Sequence, residues 1–115
     1  MNQQHDTNKR RLVEAVLRSP GETEPALRHA VESYAAGLGG RLNEQADKLP
    51  TELVTYVNKV ARHAYKTTSE DIEALRQAGY SEDAIFEITL SAALGAGMAR
   101  LERGLAVLKG EQHEA

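Results

Sequence analysis

The chain has 115 residues, one domain's worth, with a modest core and much residual surface. Hydrophobic content of 41% and charged content of 27% are those of an ordinary globular protein, and a formal charge of −3 gives no reason to expect nucleic acid as a partner. Cysteine is absent, which excludes disulfides, thiol catalysis and thiolate metal sites. Four tyrosines and one phenylalanine are the only aromatics, so the core must be aliphatic and Ala-rich, which suits close-packed helices. Three prolines and almost no β-branched runs argue against a sheet. The expected class is all-α, a compact bundle of about five helices in one domain over residues 7–108, with disordered ends at 1–6 and 109–115. No apolar signal region follows Met1, so the expected location is the cytoplasm.

In chain order, Asp6 or Thr7 caps a first helix that runs to about Arg18. Leu12, Val13, Val16 and Leu17 form its apolar stripe. The basic run Lys9, Arg10 and Arg11 reads as a solvated helix end rather than a phosphate site. Ser19-Pro20-Gly21 stops the helix, because the residue before proline avoids the helical region and glycine permits the turn. A second helix is expected from Glu24 to about Leu38. Leu27, Ala30, Val31, Tyr34 and Leu38 would face inward, and Arg28, Glu32 and Ser33 outward. Gly37, Gly39 and Gly40 then break it. That glycine-rich stretch lacks the lysine of a phosphate-binding loop and follows no strand, so it is not read as a phosphate cradle. Arg41–Lys48 is a short helical turn or a loop. Pro50 marks a third helix start, where its missing N–H is already an orphan. The helix should run from Thr51 to about Lys66, with Leu53, Val57, Val60, Ala61 and Ala64 as its core stripe. Beside that stripe lies a polar line of Glu52, Tyr56, Lys59 and His63.

The clearest local signals lie in residues 67–108. Thr67, Thr68 and Ser69 suit a helix start, and Thr68 with Asp71 approximates a capping box. Ile72, Leu75 and Ala78 follow at helical spacing. Gly79 supplies the left-handed residue that ends the helix, and Tyr80 the apolar contact after it. Ser81 caps the next helix, whose first turn carries Glu82 and Asp83 at its positive end. That helix, Glu82 to Leu108, carries two apolar lines. One is Ile85, Ile88, Ala92, Ala96 and Ala99; the other is Phe86, Leu90, Leu94, Gly97, Leu101, Leu105 and Leu108. A helix apolar on two sides is buried on two sides, in its own core or against a partner chain. Its small-residue middle, with Gly95 and Gly97, implies close helix-to-helix approach. It holds no run of about 20 uninterrupted apolar residues, so no membrane span is expected.

Asp71, Leu75, Arg76, Gly79, Ser81, Ile85 and Arg100, at their joint spacing, resemble the C-terminal helical hairpin of the carboxymuconolactone decarboxylase superfamily. The nearest likeness is its alkylhydroperoxidase D-like, peroxidase-related branch, over about residues 51–108. The resemblance implies a helical fold and, for thiol-dependent members, a Glu, a C-x-x-C pair and a His. Anchored on Gly79, the two cysteine positions fall on Ala64 and Thr67, the histidine on Asp71 and the glutamate on Glu52. With no cysteine anywhere, no dithiol is available to reduce a peroxide.

The superfamily also includes decarboxylases that need no cysteine. A site of that kind implies acid–base residues and an arginine that clamps a carboxylate. The candidates are Glu52 and His63 as catalytic groups, and Arg100 and Tyr56 as ligand-binding groups. The competing reading makes Glu52, Tyr56, Lys59 and His63 a solvated or interface-rim stripe, and Arg100 half of a structural ion pair with Asp71 or Glu87. His5, His29 and His113 have no ligand-spaced partners, so neither metal nor cofactor is expected. Two functional readings follow. One is a non-catalytic interaction or scaffold module that forms a homo-oligomer and stands alongside a redox partner protein. The other is a cysteine-free decarboxylase-type enzyme, or a sensor, for a small carboxylic acid. An acid–base residue and an anion clamp in one cavity would favour the second.

Overall fold

Helix formation begins earlier than the first capping residues suggest. In the computed structural model, which describes residues 3–38 and 49–110, α1 spans Gln3–Arg18. The expected start at Asp6 or Thr7 is thereby corrected. Asp6 lies within the first turn, where its charge faces the positive end of the helix. One turn of side-chain bonding supports this extension, with Gln4 donating to Asn8 at 3.0 Å. Among the described side chains of α1 only Leu17 is buried, and Leu12 is 47% exposed.

Glu24 starts α2, Pro25–Leu38, by accepting from the N–H groups of Leu27 and Arg28. Val31 and Ala30 are buried, as the periodicity predicts. Arg28 and Glu32 are buried too, at 3% and 4% exposure, which corrects their expected outward placement. The reason is that α2 touches α1, α3 and α5, so a single inward stripe does not describe it. Residues 39–48 and those beyond 110 lie outside the described residues, as do the expectations for them.

Pro50 is the N-cap of α3, Thr51–His63, in an extended conformation (φ −56°, ψ 141°). Leu53, Val57 and Ala61 are buried on its inner face. The helix stops three residues short of its expected end, and Ala64–Lys66 form a 3₁₀ turn. The tighter turn rotates Ala64 off the core stripe, and it is exposed.

The next start is the capping box predicted for it. The Thr68 hydroxyl accepts from the Asp71 N–H, and the Asp71 carboxylate accepts from the Thr68 N–H, opening α4, Ser69–Gln77. Gly79 has φ +107°, and two bonds close the helix end: Gly79 N–H to Arg76 O (2.9 Å) and Tyr80 N–H to Leu75 O (3.1 Å). This is the Schellman pattern, and glycine adopts that φ without a Cβ penalty. Ser81 then accepts from the Ala84 N–H, and α5 runs unbroken over Glu82–Leu108.

The described residues thus form five α-helices and one 3₁₀ turn, with no strand among them. Ile85, Ile88, Ala92, Ala96 and Ala99 of α5 are all buried, most of them with residues of α2, α3 and α4 in one cluster. Gly95 lets α2 and α5 touch backbone to backbone. A Cβ at this position would stand 2.2 Å from the Glu32 carbonyl oxygen and 3.1 Å from the Ala36 nitrogen. By length and mean hydropathy (1.3 in its most apolar window) α5 also meets the requirement for crossing a bilayer, and half of that window is buried inside the molecule. Core helices of globular domains meet the same requirement.

Candidate functional site

The polar line of α3 does not converge on one point, because each member has its own partner on another element. Glu52 accepts from the Tyr80 hydroxyl at 2.8 Å. Tyr56 is only 6% exposed, and its hydroxyl meets the Thr89 hydroxyl at 2.6 Å. Lys59 donates to both oxygens of Asp71, each at 3.0 Å. These three pairs tie α3 to α4, to α5 and to the turn between them. Tyr56 is therefore a core residue with a satisfied hydroxyl, not a member of a solvated stripe. The alternation of an apolar and a polar line hid this, since a tyrosine fits either.

His63, at the end of α3, is exposed and stands edge-on to Tyr65, ring centroids 6.0 Å apart. Arg100 is exposed and donates to the Ala61 carbonyl oxygen at 2.9 Å. The expected ion pair of Arg100 with Asp71 or Glu87 does not form. Asp71 is engaged by Lys59 and the Thr68 cap, and Glu87 by the turn before α2. Arg100 instead supplies a donor to the last turn of α3, where carbonyls lack intrahelical partners.

Electrostatics point the same way. The Tyr80 hydrogen bond holds the Glu52 carboxyl below its usual range. Burial, then the Glu52 carboxylate, pushes the Tyr80 hydroxyl up to about 12. The Thr68 N–H, then Lys59, holds Asp71 low. Burial pushes Glu87 up, but hydrogen bonds from Thr23 and Glu22 and the Arg28 charge outweigh it, and the carboxyl lies below its usual range. All three displaced carboxyls move away from neutral pH. Acid–base catalysis near neutrality needs a carboxyl moved the other way.

A second polar cluster, around Glu87, is not marked in the sequence. The Glu87 carboxylate accepts from Glu22 N–H (2.8 Å), Thr23 N–H (2.8 Å) and the Thr23 hydroxyl (2.6 Å). Arg28 reaches Val16 O at 2.8 Å and Thr23 O at 3.3 Å, and its buried Nε has no hydrogen-bond partner. Gly21 leaves room for the carboxylate, since a Cβ there would stand 2.5 Å from an oxygen of Glu87. The cluster clasps the turn between α1 and α2 onto α5. Its one sequence signal is the Pro-Gly-Glu-Thr turn, which says nothing of a partner 64 residues away.

An apolar groove of about 370 Å³ lies between α1 and the C-terminal half of α5, lined mainly by Leu12, Met98, Leu101 and Leu105 with Lys9 and Asp6 at its edge. It contains none of Glu52, Tyr56, His63 and Arg100. A shallow depression of about 280 Å³ at the end of α3 is lined by Thr55, Asn58, Lys59, Arg62, His63 and Lys66. It holds His63 without Glu52, Tyr56 or Arg100. Among the described residues no group of three His, Asp or Glu side chains is placed to hold a metal ion. No protein-family model, no curated protein and no solved structure matches the chain.

Proposed function

We propose that the chain is a non-catalytic, alkylhydroperoxidase D-like interaction or scaffold module, assembled as a closed homo-oligomer through α5 and without thiol peroxidase activity. The observation that carries the assembly is the second apolar line of α5. Phe86 is 65% exposed, Leu90 41%, Leu101 43% and Leu108 79%. Leu105 adds to the line and lines the groove against α1. Isolated exposed leucines are ordinary, but several large apolar side chains exposed along one helix, on either side of buried Leu94, favour an interface. A two-fold arrangement would cover the same line on both copies.

Light scattering at micromolar concentration tests this directly, and a clean monomer mass would overturn it. Two variants separate interface from core. Leu101→Asp places a charge on an exposed position, so a folded, smaller species is expected. Leu94 is 7% exposed, so Leu94→Asp buries an unpaired charge and is expected to unfold the chain. The catalytic half of the proposal is tested with a hydroperoxide and a dithiol donor, where no turnover is expected.

The alternative, a cysteine-free decarboxylase-type enzyme or sensor for a small organic acid, has one observation in its favour. His63 shares a depression with Lys59, Arg62 and Lys66. A thermal-shift screen with small carboxylic acids tests it, because a ligand that binds the native state raises the midpoint.

A further inference from the structure

We propose that the basic end of α3 is a docking site for an acidic protein segment, one that carries clustered carboxylates. The site is built by the sequence of the last α3 turn and the 3₁₀ turn that follows. Lys59, Arg62, His63 and Lys66 stand within eight residues and line one depression, and Arg100, outside it, donates to the Ala61 carbonyl of the same helix end at 2.9 Å. Asp71 offsets Lys59. Among the described residues, no carboxylate pairs with Arg62, Lys66 or Arg100. Complementing the carbonyls at a helix C-terminus accounts for a cation there, and Arg100 already fills that role. Arg62 and Lys66 are left over, on a surface that attracts anions although the whole chain is negative.

The shape decides between a small acid and a peptide. A small-molecule site encloses most of its ligand's surface. This depression is shallow and wide open, so it would enclose little of one. Beside the cations stands Tyr65, 81% exposed, with the Lys66 ammonium 5.9 Å from its ring centre. An exposed tyrosine among cations suits a partner side chain laid across it, since tyrosine offers contact area and a hydroxyl at little entropic cost. The proposal rests on the interaction-module reading but not on self-association, because none of these residues belongs to the second apolar line of α5.

The probe is a fluorescent oligoglutamate peptide, with an oligoglutamine peptide of equal length as control, read by anisotropy on the full chain. Binding of oligoglutamate alone is expected, and it should weaken strongly between about 0.01 M and about 0.15 M salt, as the Debye length shortens from roughly 30 to 8 Å. Arg62→Gln with Lys66→Gln should weaken binding about fivefold or more, from exposed pairs worth about 0.5–1 kcal/mol each. Both positions are exposed, so the fold should persist, checked by an unchanged melting temperature. Arg10→Gln with Arg11→Gln removes the same charge from α1 and should leave binding unchanged. Equal loss in the two double variants would reduce the effect to net charge and overturn the proposal. Absence of oligoglutamate binding at low salt, or equal binding of oligoglutamine, would overturn it as well. Competition by free glutamate at the same carboxylate concentration would assign the depression to a small acid instead. The oligomer mass is read in the same samples, so failure of self-association and failure of peptide docking are told apart.

Discussion

Gly95 is the position at which a single added carbon should be felt most. Gly95→Ala gains helix propensity, worth about 1 kcal/mol in a helix interior. The new Cβ, however, would stand 2.2 Å from the Glu32 carbonyl oxygen and 3.0 Å from its carbon. That is roughly 1 Å short of ordinary van der Waals contact. The obstacle is helical backbone, not the tip of a flexible side chain, so α2 and α5 must move apart. Overpacking of this kind costs typically 1–3 kcal/mol, and a gap of up to 1 Å along the seam forfeits a quarter to a half of each dispersion contact there. Because α2 packs on α5 more extensively than any other two described elements pack, the cost should lie at the upper end of that range, and the net expected loss after the propensity gain is about 2 kcal/mol. At about 4 °C per kcal/mol the melting temperature should fall by roughly 8 °C. Gly97→Ala is the internal control. A Cβ there meets nothing within 4 Å, so it should gain up to about 1 kcal/mol. Denaturant and thermal unfolding of both variants at one protein concentration give the comparison. Gly95→Ala as stable as Gly97→Ala would refute the claim that glycine is needed for the α2–α5 approach.

Three further outcomes are expected. Tyr80 titrates at about 12 in the fold against an ordinary value of 10.0. Its neutral form is the favoured one, so its contribution is complete below pH 10 and is lost as pH rises through 12; Tyr80→Phe should flatten urea-unfolding stability over that alkaline range. Asp71 is displaced below its ordinary value of 3.8. Its contribution is therefore complete above that pH and is lost as pH falls through the lowered value. Asp71→Asn should be less stable than the parent near neutrality, and the difference from the parent should vanish in acid. Arg100→Ala removes one donor from the part-buried Ala61 carbonyl and should cost about 1 kcal/mol in chemical denaturation, whereas a loss of about 3–5 kcal/mol would restore the buried ion pair that the structure replaces.

What the sequence determined by itself is local. The Thr68–Asp71 capping box, the Gly79 turn, the Ser81 cap and the bounds of α5 each depend on neighbours within a few residues, so composition and spacing suffice to place them. The all-α class and the buried line from Ile85 to Ala99 follow from the same short-range periodicity. Of the candidate site, the sequence located the residues but not their company. Glu52, Tyr56 and Lys59 look like one polar line because they share a helix face. Tyr80, Thr89 and Asp71 draw them apart, and none of those partners is marked by spacing. Only the tertiary structure decided which charges are buried. Arg28 and Glu32 read as surface residues until α2 is seen to be covered on more than one side. Glu87 enters the sequence reading only as an ion-pair partner for Arg100, and the fold gives it the turn at Glu22–Thr23 instead. Burial of a charge depends on what packs over it and on the hydrogen bonds that offset its desolvation, and both are supplied here by residues dozens of positions away.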